Sequence, residues 1–349
     1  MRWSEDPATP FLETYSRPGS GFHRFPFRAL GTENVLLLAA DEGEELRRCV
    51  QEAFRIVESL EGRLSKFLPE SDVSLANSLA ASRPVHVGED LLFLLERARE
   101  AWEISGGAFD PTVGPLLEAW GLVDRRSRAP PSEDELRRLL ELRGMDRVTV
   151  DRASGTVRYD RAGVAVDLGG MGKGYIVDRI ADFLRGRGIE AGAVISGRST
   201  LLTWGTPPGE DHWRLGLVHP DEPQETLATF LAEPGAVSSS GAYERFVRRG
   251  TEVHGHVLDP RSGRPARAVK GTTVWSRTAL LGDVLSTLLF VLGDAAAGEG
   301  GPAEQLATAW TPEGEAPRAS FVWIVPQPAV WGGLEIRSRH VGEPALRRR

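Results

Sequence analysis

The segment TALLGDVLSTLLFVLG, residues 278–293, constrains the fold more than any other part of the chain. It is almost entirely apolar, yet it is shorter than the roughly 20 residues that a membrane-spanning helix requires. We therefore predict a helix that is buried in the protein core. Its one acidic residue, Asp283, must then meet a positive group, because burying an unpaired carboxylate costs several kcal/mol of folding free energy.

The chain as a whole has the composition of a soluble globular protein. Its 349 residues are 41% hydrophobic and 26% charged, which lies outside the ranges of disordered, collagenous and coiled-coil chains. The net charge of −7 provides no basic field for a nucleic-acid backbone, so no nucleic-acid partner is expected. Cys49 is the only cysteine, which excludes an intrachain disulfide and an all-cysteine metal site.

Residues 1–20 carry Pro and Ser without periodicity and are predicted to form an N-terminal arm, followed by one domain over 21–349. The first residues lack the basic and apolar stretches of a signal peptide, and no segment is long enough to span a membrane. We therefore expect a cytoplasmic protein with no transmembrane segment. The stretch 294–320 is rich in Gly, Ala, Pro and Glu, and we expect a partly mobile surface excursion there.

Hydrophobic periodicity predicts a mixture of helices and strands. Besides the apolar helix, apolar residues recur at helical spacing in 44–67, 89–107, 131–144 and 175–188. Short strands bounded by Gly and Pro are predicted at 27–40, 191–205, 212–220, 226–241, 253–260, 319–325 and 334–341. Residues 148–168 alternate around Ala-Ser-Gly, which predicts a hairpin followed by a more buried strand. With no internal repeat and no linker, the pattern favours a single α+β domain of mixed or antiparallel sheets with packed helices.

A glycine-rich turn, Gly169–Gly174, connects this buried strand to the helix at 175–188. Backbone N–H groups at such a helix start bind phosphate well, but the turn matches neither the P-loop nor the dinucleotide-binding fingerprint. Asp167 and Lys173 bracket the turn and favour a ligand site over a purely structural turn. Only Lys66, Lys173 and Lys270 are lysines among the 42 basic residues. Lys173 is therefore a candidate for a position that requires a compact ammonium group.

Asp283 and Thr287 lie four residues apart on the apolar helix and therefore on one face. A carboxylate and a hydroxyl are hard oxygen ligands, which suit Mg²⁺ when phosphate oxygens complete its coordination. The alternative interpretation is that Asp283 pairs with one of the many arginines.

Two further segments carry candidate chemistry. His254 and His256 would project from the same side of a strand, as in a two-histidine metal site. No H-E-x-x-H or C-x-x-C motif accompanies them, so zinc is not expected. The segment from Ser105 to Thr112 predicts a loop whose backbone approaches a ligand closely. No G-x-S-x-G motif is present, and no hydrolase triad is predicted.

Taken in order, these segments resemble the ApbE family of flavin transferases. The resemblance extends from about Phe27 to Gly293. It rests on Ala29–Thr32, Leu64–Phe67 leading to Leu75–Asn77, Ser105–Thr112, Val166–Tyr175, Ser238–Gly241, His256–Gly263 and Asp283–Gly293. Each segment by itself is weak evidence for the family, whereas their occurrence together in this order is highly specific.

The resemblance implies FAD:protein FMN transfer, in which FAD is cleaved at its pyrophosphate, FMN becomes attached to a Thr or Ser hydroxyl of an acceptor flavoprotein, and AMP leaves. It implies Mg²⁺ held by Asp283, Thr287 and the backbone carbonyl of Gly170. The implied FAD contacts are Leu30, Phe67, Ala108, Phe109, Asp110, Asp167, Lys173 and Val257. Lys173 and the metal would neutralise charge on the pyrophosphate, and His256 is the nearest candidate for the general base.

The chain departs from the family pattern at several positions. Leu30 replaces the usual methionine, Phe67 replaces a tyrosine and so lacks a hydroxyl contact to FAD, and the usual Asn-x-Gly-Gly segment aligns with 196–200. The lipoprotein signal common in the family is absent, and Cys49 lies in a predicted helix. Two other interpretations stay open: Mg²⁺-dependent hydrolysis of FAD to FMN and AMP, and FAD binding without turnover.

Overall fold

A computed structural model describes residues 15, 19–123, 129–219, 226–241, 246–249, 252–255, 257–326, 334–344 and 346–348. Over these residues the chain combines packed helices with antiparallel sheets. The predicted α+β class is therefore confirmed.

The helices follow the periodic segments of the sequence. They span Glu44–Leu64 (α1), Asp72–Leu79 (α2), Glu89–Ile104 (α3), Gly114–Ala119 (α4), Glu133–Leu140 (α5), Gly172–Gly186 (α6), Ala279–Leu292 (α7), Asp294–Ala297 (α8) and Pro302–Ala309 (α9). Helix α7 is buried along almost its whole length, which confirms the core helix predicted at 278–293. Helix α6 begins within the glycine-rich turn, earlier than its apolar periodicity indicates.

The strands are short and numerous. They span His23–Ala29 (β1), Thr32–Ala39 (β2), Val85–His86 (β3), Val148–Asp151 (β4), Thr156–Tyr159 (β5), Ala191–Ser196 (β6), Thr200–Trp204 (β7), Trp213–Val218 (β8), Thr226–Ala232 (β9), Gly235–Gly241 (β10), Phe246–Arg249 (β11), Glu252–Gly255 (β12), Leu258–Asp259 (β13), Arg264–Pro265 (β14), Gly271–Ser276 (β15), Ala319–Pro326 (β16), Leu334–Val341 (β17) and Leu346–Arg348 (β18). The predicted hairpin around Ala-Ser-Gly is confirmed as β4 and β5.

One large sheet organises the molecule, with the strand order β1-β2-β6-β7-β10-β15-β16-β17. All neighbouring pairs are antiparallel. Side chains alternate between its faces, so that Leu36 and Leu38 of β2 enter the main core while Val35 and Leu37 enter a second cluster on the opposite face.

Different elements cover the two faces of this sheet. Helices α1, α6 and α7 pack on the face of the main core, with α7 against β10 and β15. The small sheet β18-β9-β8 covers the other face, where Trp213 is completely buried. Tyr15, from the predicted arm, is buried against Trp213 with the ring centroids 5.1 Å apart. The boundaries of the arm and the domain stay a prediction.

Two expectations differ from the structure. Residues 164–168 form no sheet strand; the side chain of Asn77 instead bonds to the backbone of Val166. Residues 294–320 hold α8 and α9 in place of the expected excursion, and Ala296 and Leu306 are buried in the main core. Alanine favours helix strongly, and Pro302 stands in the first turn of α9, where proline is tolerated.

Within the part of the chain that the structure describes, we find no helix with the length and apolar character needed to cross a membrane.

Candidate functional site

Helices α6 and α7 are in direct backbone contact where Gly174 lies against Ala279. A Cβ added to Gly174 would lie 2.2 Å from the carbonyl oxygen of Ala279, so a larger residue would force the helices apart. The contact brings the glycine-rich turn and the start of α6 against the first turns of α7. The two segments that the sequence singled out separately therefore form one candidate site.

Asp283 projects from α7 toward the start of α6 and is buried. Its Oδ2 accepts the N–H of Gly174 at 2.7 Å, and its Oδ1 accepts the hydroxyls of Thr200 and Ser238, each at 2.8 Å. Burial raises the pKa of this carboxyl above its ordinary value, while the charge of Lys173 and the hydrogen bonds lower it. The positive group near Asp283 is thus Lys173. Among the described residues, Asp283 accepts hydrogen bonds from one amide and two hydroxyls and from no arginine.

The Asp283 carboxylate keeps one unused acceptor position. A carboxylate offers about four lone-pair positions, and the three hydrogen bonds leave one of them. Thr287 lies one turn further along α7 and is only partly buried. Gly170 lies beside it, since a Cβ on Gly170 would be 3.4 Å from Thr287 Oγ1. These residues fit a hard cation bound by a carboxylate, a hydroxyl and a backbone carbonyl.

Such a cation would need further ligand oxygens, in addition to these three groups. Among the described residues, no group of three or more His, Cys, Asp and Glu side chains is arranged to hold a metal ion. Mg²⁺ commonly binds through one or two carboxylates and completes its coordination with water and phosphate oxygens. The chemistry of the donor set therefore fits Mg²⁺ that arrives with a phosphate-bearing substrate.

The segment 196–200, where the chain departs from the family pattern, supplies partners for this site. The Lys173 ammonium donates a hydrogen bond to Ser199 Oγ, and Thr200 is one of the donors to Asp283. Gly197 has a φ of +58°, and a Cβ there would lie 2.8 Å from Thr32 Oγ1. The β6–β7 turn therefore keeps the glycine that it needs to lie close to the β1–β2 turn.

Asp167 precedes the glycine-rich turn and is held by three contacts. Its backbone N–H donates to the carbonyl of Pro111 at 2.7 Å, its Oδ1 accepts the N–H of Gly169 at 2.7 Å, and its Oδ2 forms an ion pair with Lys66. The Lys66 ammonium lies 5.1 Å from the centroid of the Phe67 ring. Lys66 thereby connects Phe67 and Asp167, which are both predicted FAD contacts.

The loop from Ser105 to Thr112 is held by its own side chains. Ser105 Oγ accepts the N–H of Phe109 at 3.0 Å, and Asp110 Oδ1 accepts the N–H and the hydroxyl of Thr112 at 2.8 and 2.5 Å. Burial raises the pKa of the Asp110 carboxyl. Its Oδ2 is buried without a hydrogen-bond partner among the described residues, so an N–H or O–H donor from a ligand would satisfy it. The Phe109 ring lies beside Gly170, 3.2 Å from a Cβ placed there.

Leu30 and Phe67 have unusual environments. Leu30 has a φ of +58°, and no other described non-glycine residue has a positive φ. Such strain costs about 1–3 kcal/mol and concentrates at functional sites. Phe67 is 64% exposed, and stacking on a planar ligand would cover its exposed ring.

The remaining predicted residues are less directly tied to the site. Ala108 is buried next to Phe109 in the loop. Val257 is partly buried on the main core, and its carbonyl accepts the N–H of Ala266 at 3.0 Å. His256, the candidate general base, lies outside the described residues, and His254 lies in β12.

Several polar residues that complete the site received no role from the sequence: Asp178, Ser199, Thr200 and Ser238. Asp178 of α6 accepts the N–H groups of Ala279 and Leu280 at 2.7 and 2.8 Å. Burial and the charges of Asp182 and Asp283 raise the pKa of Asp178 to about 7, despite the lowering effect of those two hydrogen bonds. The sequence did contain a signal for Asp178: it is an acidic residue one helical turn after Gly174 and therefore lies on the same face of the helix.

Known proteins resemble this chain over most of its length. Residues 30–300 match the model of the ApbE family. The FAD:protein FMN transferase of Klebsiella pneumoniae (strain 342) is 33% identical over 242 residues, which cover 69% of this chain and 74% of the relative. The crystal structure of the ApbE protein from Thermotoga maritima has a TM-score of 0.76 at 27% identity, covering 90% of this chain and 96% of that one. The apo flavinyl transferase ApbE of Pseudomonas stutzeri has a TM-score of 0.73 at 26% identity, covering 91% and 94%. These matches confirm the resemblance read from the motifs, and the chain belongs to the ApbE family.

Proposed function

We propose that the protein is an Mg²⁺-dependent FAD:protein FMN transferase. The hydroxyl oxygen of a Thr or Ser in an acceptor flavoprotein forms a bond to the phosphorus of the FMN half of FAD. The bond between that phosphorus and the bridging oxygen breaks, and AMP leaves with the bridging oxygen. The hydroxyl proton passes to a general base, so that the products are a phosphoester-linked FMN and free AMP.

The observation that carries the proposal is the contact between α6 and α7, which places Asp283, Lys173 and the glycine-rich turn together. The N–H groups of a helix start suit phosphate oxygens, and Lys173 adds a compact positive charge. Asp283, Thr287 and the Gly170 carbonyl would hold Mg²⁺, which supplies Lewis-acid stabilisation of charge on the pyrophosphate. The relatives named FAD:protein FMN transferase support the same reaction.

Several of the predicted FAD contacts are linked to one another. Phe67 is linked to Asp167 through Lys66, and the 105–112 loop is linked to Asp167 through Pro111. We assign the exposed Phe67 ring to the planar isoalloxazine, because stacking would cover its exposed face. The unpaired Oδ2 of Asp110 fits a donor such as the exocyclic amino group of adenine. Leu30, Ala108 and Val257 complete the predicted contacts.

Two residues are assigned to the chemical step. Lys173 would give up its hydrogen bond to Ser199 for a pyrophosphate oxygen and stabilise the charge that develops there. His256 would take the proton of the acceptor hydroxyl. If His256 has this role, His256→Ala should slow transfer strongly and leave FAD affinity close to that of the wild type.

The deciding experiment incubates the full chain with FAD and Mg²⁺, with and without an acceptor that carries a flavinylation-type Thr or Ser. Mass spectrometry should find FMN on the acceptor and one AMP for each FMN transferred. The same acceptor with that residue changed to Ala is the matched control and should stay unmodified. Release of FMN and AMP without modified acceptor would indicate hydrolysis, and unchanged FAD would indicate binding without turnover. Cytoplasmic localisation stays a prediction, which fractionation of the native host would test.

A further inference from the structure

Helices α6 and α7 hold each other through two carboxylates that point in opposite directions. Asp283 of α7 accepts the N–H of Gly174 at the start of α6, at 2.7 Å. Asp178 of α6 accepts the N–H groups of Ala279 and Leu280 at the start of α7, at 2.7 and 2.8 Å. Each helix therefore caps the N-terminus of the other, at the crossing where Gly174 and Ala279 are in contact.

The first four N–H groups of an α-helix have no partner within the helix. In α7, Asp178 accepts the N–H groups of Ala279 and Leu280, and the hydroxyl of Thr278 accepts that of Leu281 at 3.3 Å. The N–H of Gly282 makes the first hydrogen bond of the helix itself, to the carbonyl of Thr278 at 3.1 Å. Thr278 belongs to the same chain segment as α7 and cannot place the helix on a neighbour. Asp178 is the part of this cap that comes from α6, so it ties the start of α7 to the helix that follows the glycine-rich turn.

Asp283 has two tasks in the proposed site. It ties α7 to α6 through Gly174, and it is the proposed anionic ligand of the metal ion. A cation at the remaining acceptor position of Asp283 withdraws negative charge from the carboxylate and weakens its hydrogen bond to Gly174, so a crossing held by Asp283 alone would loosen when the cation binds. The hydrogen bonds of Asp178 involve no atom of Asp283 and stay in place.

We infer that Asp178 is a positioning residue of the metal site, which holds the start of α7 on α6 so that Asp283 and Thr287 stay opposite the glycine-rich turn. This inference rests on the proposed function, because it requires a divalent cation at Asp283. Asp178 itself touches neither the cation nor FAD. It acts through the position of the helix that carries the ligands.

The test uses Mn²⁺ as a probe that electron paramagnetic resonance can detect in place of Mg²⁺. Free Mn²⁺ is titrated with the purified full chain, and the thermal midpoint of unfolding is measured in parallel. Asp178→Asn keeps the side-chain shape and one acceptor oxygen, but it turns an NH₂ group toward one of the two amides. We expect the Kd for Mn²⁺ to rise about tenfold, as is typical when a residue that supports metal ligands is replaced.

Two further variants separate helix placement from other causes. Thr278→Ala removes a cap from the same helix without untying it from α6, so it should lower thermal stability and leave the Mn²⁺ affinity unchanged. Asp178→Glu keeps the carboxyl group but lengthens the side chain, which displaces its oxygens from the N–H groups of Ala279 and Leu280. If Asp178 acts by placing α7, this variant should therefore also bind Mn²⁺ more weakly. Should Asp178→Asn fail to fold, the Glu variant and Thr278→Ala still decide the question.

Weaker Mn²⁺ binding in both Asp178 variants, with wild-type affinity in Thr278→Ala, is the expected result. Wild-type Mn²⁺ affinity in Asp178→Glu would overturn the inference. It would mean either that the carboxyl group acts on the cation at a distance or that Asp178 has no role in the metal site. An equal shift in Thr278→Ala would overturn it in favour of a general loss of stability. If the wild type bound no Mn²⁺, or if Asp283→Asn bound it normally, the metal site of the proposed function would fail and the inference with it.

Discussion

The side-chain amide of Asn77 makes both backbone hydrogen bonds of Val166. Its Nδ2 donates to the Val166 carbonyl at 2.9 Å, and its Oδ1 accepts the Val166 N–H at 2.8 Å and the hydroxyl of Tyr159 at 3.0 Å. The amide thus replaces the neighbouring strand that residues 164–168 lack. Because Asp167 follows Val166 directly, Asn77 holds the segment that leads into the glycine-rich turn.

Asn77→Asp should loosen this segment. A carboxylate cannot donate to the Val166 carbonyl, and an unsatisfied buried group costs about 1–3 kcal/mol of unfolding free energy. We expect lower stability in urea unfolding and weaker FAD binding in a flavin fluorescence titration. Ser78→Ala, at an exposed position of the same helix, is the control and should change neither quantity. Wild-type FAD affinity in Asn77→Asp would show that this segment does not position the FAD site.

Lys173→Met should weaken FAD binding or slow transfer while the fold survives, because methionine keeps the apolar stem and removes the charge. One charge-assisted contact is worth roughly 1.5–3 kcal/mol, or about 10- to 150-fold. Lys270→Met makes the same chemical change beside β15 and should leave both quantities unaltered. Equal rates and affinities in the Lys173 variant and the wild type would assign Lys173 a structural role only.

The ion pair between Lys66 and Asp167 predicts a non-additive effect. Lys66→Met leaves the Asp167 carboxylate, which is only 10% exposed, without its cation beside the proposed pyrophosphate site, so FAD affinity should fall. In an Asp167→Asn background the same change should add little, since no charge is left to neutralise. FAD titrations of the four proteins should give a coupling energy of about 0.5–3 kcal/mol. Additive losses would indicate that Lys66 contacts FAD independently of Asp167.

Asp283→Asn should raise the Mg²⁺ concentration needed for transfer and slow the reaction by about 100-fold or more, because Lewis-acid stabilisation is worth several kcal/mol. Thr287→Val should have a smaller effect, since water can replace a neutral ligand. The Mg²⁺ dependence of the rate and the thermal stability are measured on both variants. A normal Mg²⁺ titration in Asp283→Asn, with only its stability reduced, would refute the metal assignment.

The pKa of Asp178 predicts a stability that falls as pH rises. The group ionises near 3.8 in the unfolded chain and near 7 in the folded protein, where burial and the charges of Asp182 and Asp283 oppose ionisation. Between these values the unfolded state binds fewer protons, so this group destabilises the fold progressively from about pH 4 to pH 7 and adds no further change above that. The loss is at most about 4 kcal/mol, at about 1.4 kcal/mol for each pKa unit.

Urea unfolding across this pH range, on the wild type and Asp178→Asn, measures the effect. The variant cannot ionise, so it should become more stable relative to the wild type as pH rises. Parallel stability curves for the two proteins would contradict the raised pKa.

Local sequence patterns were sufficient to predict many of the helices and strands. The apolar run at 278–293 predicted α7, because a helix that is apolar on all sides has no stable place except the interior. Alternation around Ala-Ser-Gly predicted the β4–β5 hairpin, where Gly155 has the positive φ that the turn requires. The ordered motifs indicated the family. Alternation alone misidentified 164–168 as a strand, because it reports which side chains are buried and not what the backbone pairs with.

The surroundings of Asp283 were decided by the tertiary structure. Its partners Thr200 and Ser238 lie 83 and 45 residues away in the sequence. They meet because β7 and β10 are neighbours in the large sheet, with Thr200 directly opposite Ser238. Strand order depends on packing between distant segments, and no local spacing encodes it. The sequence therefore determined the types of element and the chemistry of their side chains, whereas the order of strands and the α6–α7 crossing decided which of those side chains meet.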